Sequence, residues 1–308
     1  MNTPKSMRAV RPRSAKAVGA SLVVMSSLFY GSYGVWMALM GTAFGVYTQG
    51  IFRSLLVVLI VLPVALLRRQ WQPIQWRRDR WWLLVSFLTS IGIAGPSYYA
   101  TQKIGVGLMS AVLYAGIVLA MFFFGWLLSK ERYTLDKGIA TALGLVGLWL
   151  VFSPNANHLG LLGLGAALVA GLASGLNVVV SQKMPYGVLQ TMSIAWSGGV
   201  LACLGMALLL GEYRQPITWG VQWLYLVLFV ATSVLASSTV IKGVKLIDAG
   251  SAGILGLLEI IFGVLLGVVF FGERPGGLAL VGMAFITLAA AIPYLHHFKL
   301  KDEPFELS

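Results

Sequence analysis

Ten runs of apolar residues alternate along this chain with short polar stretches, at 17–40, 46–67, 81–102, 106–128, 137–153, 159–181, 188–210, 219–241, 248–271 and 276–295. A helix rises about 1.5 Å per residue, so roughly 20 apolar residues cross a hydrocarbon layer about 30 Å thick. The pattern predicts an all-α membrane protein of ten transmembrane helices, with little of the 308 residues left for a soluble domain. The run Ala17–Met40 follows Lys5, Arg8, Arg11, Arg13 and Lys16 in the manner of a signal peptide. It exceeds the length of a cleavable apolar core, so it is expected to remain as the first helix.

The positions of the charges set the orientation. With the N-terminus in the cytoplasm, 18 of the 22 Lys and Arg fall on the cytoplasmic side. They are the five of the N-terminal tail, then Arg68, Arg69, Arg77, Arg78, Arg80, Lys130, Arg132, Lys137, Lys183, Lys242, Lys245, Lys299 and Lys301. Lys103, Arg214 and Arg274 fall outside, and Arg53 lies within a span. This is the positive-inside asymmetry expected of a multi-pass cell inner membrane protein with both termini cytoplasmic. It supports the count of ten, because removing one helix would invert every later loop. The formal charge of +12 therefore reads as a topology signal and an attraction for lipid headgroups, with no nucleic-acid partner. Trp71, Trp76, Trp81 and Trp82 around the Arg-rich loop fit an interfacial aromatic belt.

Composition agrees. Charged residues make up 10% of the chain and hydrophobic ones 58%, with a mean hydropathy of +0.85, against about 25% charged in a soluble domain. The one cysteine, Cys203, sits in an apolar run, so neither a disulfide framework nor a Cys-based metal site can form.

The chain also matches itself at an offset of 142 residues. AVLYAGIVLAMFFFGWLLSKER at 111–132 lies without gaps over GILGLLEIIFGVLLGVVFFGER at 253–274, which pairs Leu113 with Leu255, Gly125 with Gly267 and Glu131-Arg132 with Glu273-Arg274. Near that offset Gly31 falls on Gly175, and TQGIFRSLLV at 48–57 on TMSIAWSGGV at 191–200. Apolar sequences match easily by chance, so the Glu-Arg ends after a matched Gly carry the weight. The expected organisation is a basic tail at 1–16, five-helix repeats at 17–153 and 154–295, and a cytoplasmic tail at 296–308. Five is odd, so the second repeat enters the membrane inverted, the architecture that gives alternating access to a midplane site.

Two five-helix halves, whose fourth helices end in GWLLSKER and GVVFFGERP before a fifth helix rich in Gly and Ala, resemble the drug/metabolite transporter superfamily and its EamA-type ten-helix exporters. FYGSYGVW in the first helix and Arg53 in GIFRSLL are similar to the family's patterns there, and the resemblance covers residues 17–295. One departure is that many members carry proline just after a glutamate in the ninth helix. Here Glu259 is followed by Ile260, and Ile117 and Val118 stand at the equivalent place in the fourth. The resemblance implies secondary transport of small metabolites, frequently export of amino acids or related compounds. It places the substrate between the first, third, fourth, sixth, eighth and ninth helices.

Glu259 sits near the middle of the run 248–271, where a charge costs at least about 2.5 kcal/mol on insertion scales. A carboxyl there can bind a cationic group, or exchange a proton as the coupling ion; the alternative is a structural carboxyl bonded to a neighbouring helix. Arg53 must likewise face a partner or a wet cavity. It can hold a substrate carboxylate or clamp backbone carbonyls or Glu259, and the resemblance, which places it outside the cavity helices, favours the clamp. Tyr30, Tyr33 and Trp36 recur every three residues and share one broad helix face. With Tyr99, Tyr114 and the mid-membrane Asn177 they are expected to shape the substrate site, aromatics suiting an apolar or cationic part of the cargo; a packing stripe is the competing reading. Tyr98, Trp196 and the run Thr232, Ser233, Ser237, Ser238 and Thr239 are weaker candidates, and Lys103 reads as a topology residue. GLASG at 171–175 and GVLLG at 263–267 fit close helix contacts.

Enzyme chemistry is not supported, because His158, His296 and His297 lie at membrane edges, and the chain has no phosphate-binding GxxxxGK[ST] loop. No cofactor or metal is expected. The sequence reads as a secondary active transporter exporting a small zwitterionic or cationic metabolite. The rivals are an importer or facilitator and a non-transporting scaffold or sensor.

Overall fold

The computed structural model describes residues 13–131, 134–152 and 160–299. Most of the basic tail expected at 1–16, Arg132, His158 and the end of the cytoplasmic tail lie outside the described residues. The regular structure among those described is helical: α1 (Arg13–Gly31), α2 (Tyr33–Met40), α3 (Val46–Leu67), α4 (Trp76–Ser129), α5 (Leu135–Phe152), α6 (Leu161–Lys183), α7 (Val188–Leu209), α8 (Gln222–Val244), α9 (Ala249–Gly256), α10 (Leu258–Phe271) and α11 (Gly277–Lys299). Eight helical stretches among them are long and apolar enough to cross a membrane, and Gly277–Pro293 forms a shorter apolar one.

Three stretches depart from the apolar runs. The runs 81–102 and 106–128 join end to end without a loop in the 54 residues of α4, two helical arms that meet at a kink. The kink lies at Gly105, which has φ 74° and ψ 162°, a conformation open only to glycine. Asn177 of α6 bonds Ser86 and Thr89 while Gly175 lies against Ile117 and Ala120. Both arms of α4 thus reach one level of α6, and the helix doubles back at Gly105. The first run divides at Ser32 into α1 and α2. The ninth divides at Leu257, where Leu257 N–H donates to Ile254 O and Ile260 N–H to Leu257 O, tightening the ladder to three-residue spacing. The interruption arises without proline and puts Glu259 in the first turn of α10.

Lipid is as apolar as leucine, so helices in a membrane associate by close packing, which small residues permit. A Cβ on Gly31 would stand 2.9 Å from both Glu259 O and Gly263 N. One on Gly175 would stand 2.6 Å from Ile117 O and 3.1 Å from Met121 N. Ile117 and Met121 precede Glu259 and Gly263 by the 142 residues of the sequence match. Gly19 packs on Leu246 and Gly163 on Ile104 in the same relation. The matched helix ends agree too. α4 ends on Lys130 (φ 50°) and α10 on Gly272 (φ 64°), and the N–H of the next residue, Glu131 or Glu273, reaches back to Gly125 O or Gly267 O. Each glutamate's carboxylate folds over its own glycine.

Candidate functional site

Arg53 stands among three rings. Its guanidinium carbon lies 4.6 Å from the centroid of Phe229, 5.2 Å from Trp196 and 5.3 Å from Tyr33, and Tyr33 and Phe229 meet edge to face at 4.7 Å. Electron-rich ring faces attract a cation and cost little to desolvate. They do not accept from its N–H groups as an anion would. The buried Nε has no hydrogen-bond partner, and no carboxylate forms an ion pair with Arg53 among the described residues.

Glu259 occupies the first turn of α10. The Tyr114 side chain on the second arm of α4 lies beside its carboxylate. Tyr30 and Tyr33, edge to face at 5.2 Å, lie within electrostatic range of both Glu259 and Arg53. Ser237 Oγ ties this group together, 3.3 Å from the Tyr30 hydroxyl and accepting from Trp196 Nε1 at 3.2 Å. Tyr30, Tyr33, Arg53, Tyr114, Trp196 and Glu259 are all half-buried, so none is sealed in the core. Close contact of Gly31 with the Glu259 carbonyl fixes α1 against α10 beside the carboxylate.

The structure thus gathers Tyr30, Tyr33, Arg53, Tyr114 and Glu259 around one region. The other three expected residues have other partners. Trp36 Nε1 donates to Ser32 Oγ at 3.0 Å and its ring lies 6.3 Å from Phe270. Tyr99 lies under Lys103 Nζ, 5.6 Å from the ring centroid. Asn177 Nδ2 reaches Thr89 Oγ1 at 2.8 Å, Ser86 O at 3.2 Å and Ser90 Oγ at 3.3 Å, clasping α6 to α4. Phe229 was invisible in the sequence, one aromatic among many in an apolar run. Trp196 carried a signal, since the sequence match sets it opposite Arg53. A separate open groove of about 430 Å³ between α1, Leu255 and Phe262 is almost wholly apolar and includes none of these residues.

The model described as the EamA-like transporter family matches residues 17–153 and again 161–295. Uncharacterized transporter YwfM of Bacillus subtilis (strain 168) is 27% identical over 290 residues, covering 87% of this chain and 93% of that protein. A solved structure, described only as a crystal structure of a protein, superposes with a TM-score of 0.73 at 19% identity, over 94% of this chain and 99% of the other. At that identity the likeness speaks for the fold alone.

Proposed function

The chain belongs to the EamA-like transporter family, a multi-pass membrane transporter of small molecules, and from that premise we propose that it exports a small zwitterionic metabolite, an amino acid or related compound. Arg53 holds the substrate's carboxylate and Glu259 its ammonium, with Tyr30, Tyr33 and Tyr114 enclosing the rest. The observation that carries this reading is that two opposite charges approach the same tyrosines with no ion pair between them. Each charge costs about 2.5–3.5 kcal/mol at the centre of a membrane helix. A ligand with both charges offsets both costs; a purely cationic cargo would leave Arg53 unmatched. Trp36, Tyr99 and Asn177 act as supports of the helices around the cavity.

The transporter works by alternating access between two inverted five-helix halves in the inner membrane, with both termini cytoplasmic. Counting the two arms of α4 separately and adding Gly277–Pro293 to the other spans yields ten crossings, in support of that layout. The paired glycine contacts and the two family matches also favour it. Glu259, beside Tyr114, exchanges a proton against substrate during the cycle.

Exchange of labelled amino acids in proteoliposomes tests the proposal. Zwitterions should exchange, whereas their methyl esters and N-acetyl derivatives, each lacking one charge, should not. Esters carried as well as the parent compounds would refute the Arg53 assignment. Glu259→Gln should abolish accumulation driven by a pH gradient, and unchanged pH dependence in that variant would refute the proton role. Net flux in right-side-out and everted vesicles decides between export and import.

A further inference from the structure

The sequence match extends without gaps upstream of residue 111, pairing Lys103 with Lys245, Ile104 with Leu246, Gly105 with Ile247 and Gly107 with Ala249. The turn inside α4 is therefore the counterpart of the turn between α8 and α9, at the opposite membrane face in the inverted layout. The two turns differ sharply in their contacts.

At the α8–α9 turn, Lys245 Nζ donates to Tyr186 O at 2.6 Å and to Met184 O at 3.3 Å, just past the C-terminal end of α6. Gln182 Nε2 donates to Ile247 O at 2.9 Å. The Glu131 carboxylate accepts from Ala249 N at 2.9 Å and Gly250 N at 3.4 Å, capping α9. Lys137 pairs with Asp248 at 2.7 Å. Every one of these contacts joins separate elements, and residues 245–250 are buried or half-buried.

At the α4 turn none of them has a counterpart among the described residues. Lys103 is exposed, its ammonium resting over Tyr99 of its own helix. Glu273 is exposed and its carboxylate has no hydrogen-bond partner among the described residues. The partners these residues would need are nonetheless present by repeat, as the C-terminal carbonyls of α2 at 40–42 and the backbone N–H groups of Gly107 and Leu108. The glycine contacts of Gly19 and Gly163 are made at both turns alike, so the difference lies in the polar latches and not in the packing beneath them.

We propose that Glu131 and Lys245 are the latch of the cytoplasmic gate, that Glu273 and Lys103 are the matching latch of the outer gate, and that transport exchanges one for the other. The structure is then the state closed to the cytoplasm. When the inner latch opens, Glu273 caps the second arm of α4 and Lys103 bonds the end of α2. The glutamates and lysines position helices and do not touch substrate. This inference rests on the alternating-access reading.

Distances between spin labels on full-length protein in proteoliposomes test it, in a Cys203→Ala background. One pair is Lys183→Cys with Lys242→Cys at the inner face, the other Thr42→Cys with Gln102→Cys at the outer face, all four positions being exposed. Glu131→Gln should lengthen the inner distance and shorten the outer one, changing the ratio of the two states about tenfold, equivalent to about 1.4 kcal/mol. Lys245→Gln should act in the same direction and serves if the first variant does not fold. Glu273→Gln and Lys103→Gln should act in the opposite direction. If both sets move the distances the same way, or neither moves them, the latch exchange is wrong even though transport persists. Absence of any exchange by the wild-type protein would instead overturn the transport reading beneath it.

Discussion

Residues 17–153 and 161–295, the two stretches matched by the family model, make the same contacts with different chemistry. Gly31 meets the backbone at Glu259 and Gly263, and Gly175 meets it at Ile117 and Met121, which precede those two by the 142 residues of the sequence match. Yet Ile117 stands where the other stretch has Glu259, and Trp196 stands where the first has Arg53. Close approach of helices constrains backbone shape, which any duplicated scaffold must keep. A charge in a membrane is costly enough to be placed once, where something uses it.

The largest effect should come from filling the shared contact. Gly31→Leu and Gly175→Leu each drive a side chain into a neighbouring backbone, and overpacking costs about 1–3 kcal/mol, occasionally more. Both variants should fail to give monodisperse protein on size exclusion in detergent. A tolerated Gly31→Leu beside a failed Gly175→Leu would break the likeness between the two contacts.

Next comes the difference in chemistry. Arg53→Met removes a cation that has no anionic partner among the described residues, so the melting temperature should hold or rise while substrate exchange falls at least about tenfold, the equivalent of about 1.4 kcal/mol. A fall in melting temperature matching the loss of exchange would make Arg53 a structural clamp. Smaller is Asn177→Ala, which deletes the clasp between α6 and α4; hydrogen bonds between membrane helices average about 0.6 kcal/mol and reach about 1.7. A modest drop in melting temperature with exchange retained would separate support from site.

The smallest effect concerns pH at the inner turn. Burial pushes the Asp248 carboxyl up, but the Lys137 charge and bonds from Lys137 and Ser251 bring it below its ordinary value of 3.8. A depressed carboxyl contributes stability that is complete above that value and lost as the pH falls through the lower, folded-state one. Asp248→Asn should therefore melt slightly earlier than wild type at pH 7, by less than about 1 kcal/mol for a partly exposed pair, and the gap should close in strong acid. A gap that widens on acidification would contradict the pairing.

Much of this was legible before any coordinates. The apolar runs marked the helical stretches, eight of which are long and apolar enough to cross a membrane, because about 20 apolar residues have one stable place in a bilayer. Glu259 and Arg53 announced themselves as charges out of place. Their partners did not, since hydropathy is blind to neighbours from other helices. Arg53 was expected at a carbonyl, at Glu259 or at a substrate, and the structure surrounds it with Tyr33, Trp196 and Phe229. The ninth helix is interrupted at Leu257 although Ile260, and not proline, follows Glu259.

The sequence alone determined that this chain lives in a membrane, and its basic loops and offset match supplied an orientation and a duplication to look for. Those properties are sums over many residues, and solvent preference and loop charge act on each independently. Only the tertiary structure decided that α4 doubles back at Gly105, that Asn177 clasps helices, and that Glu131 caps α9 while Glu273 caps no helix among the described residues. Those outcomes depend on which backbones approach closely enough to bond, and that is a property of the packed helices together.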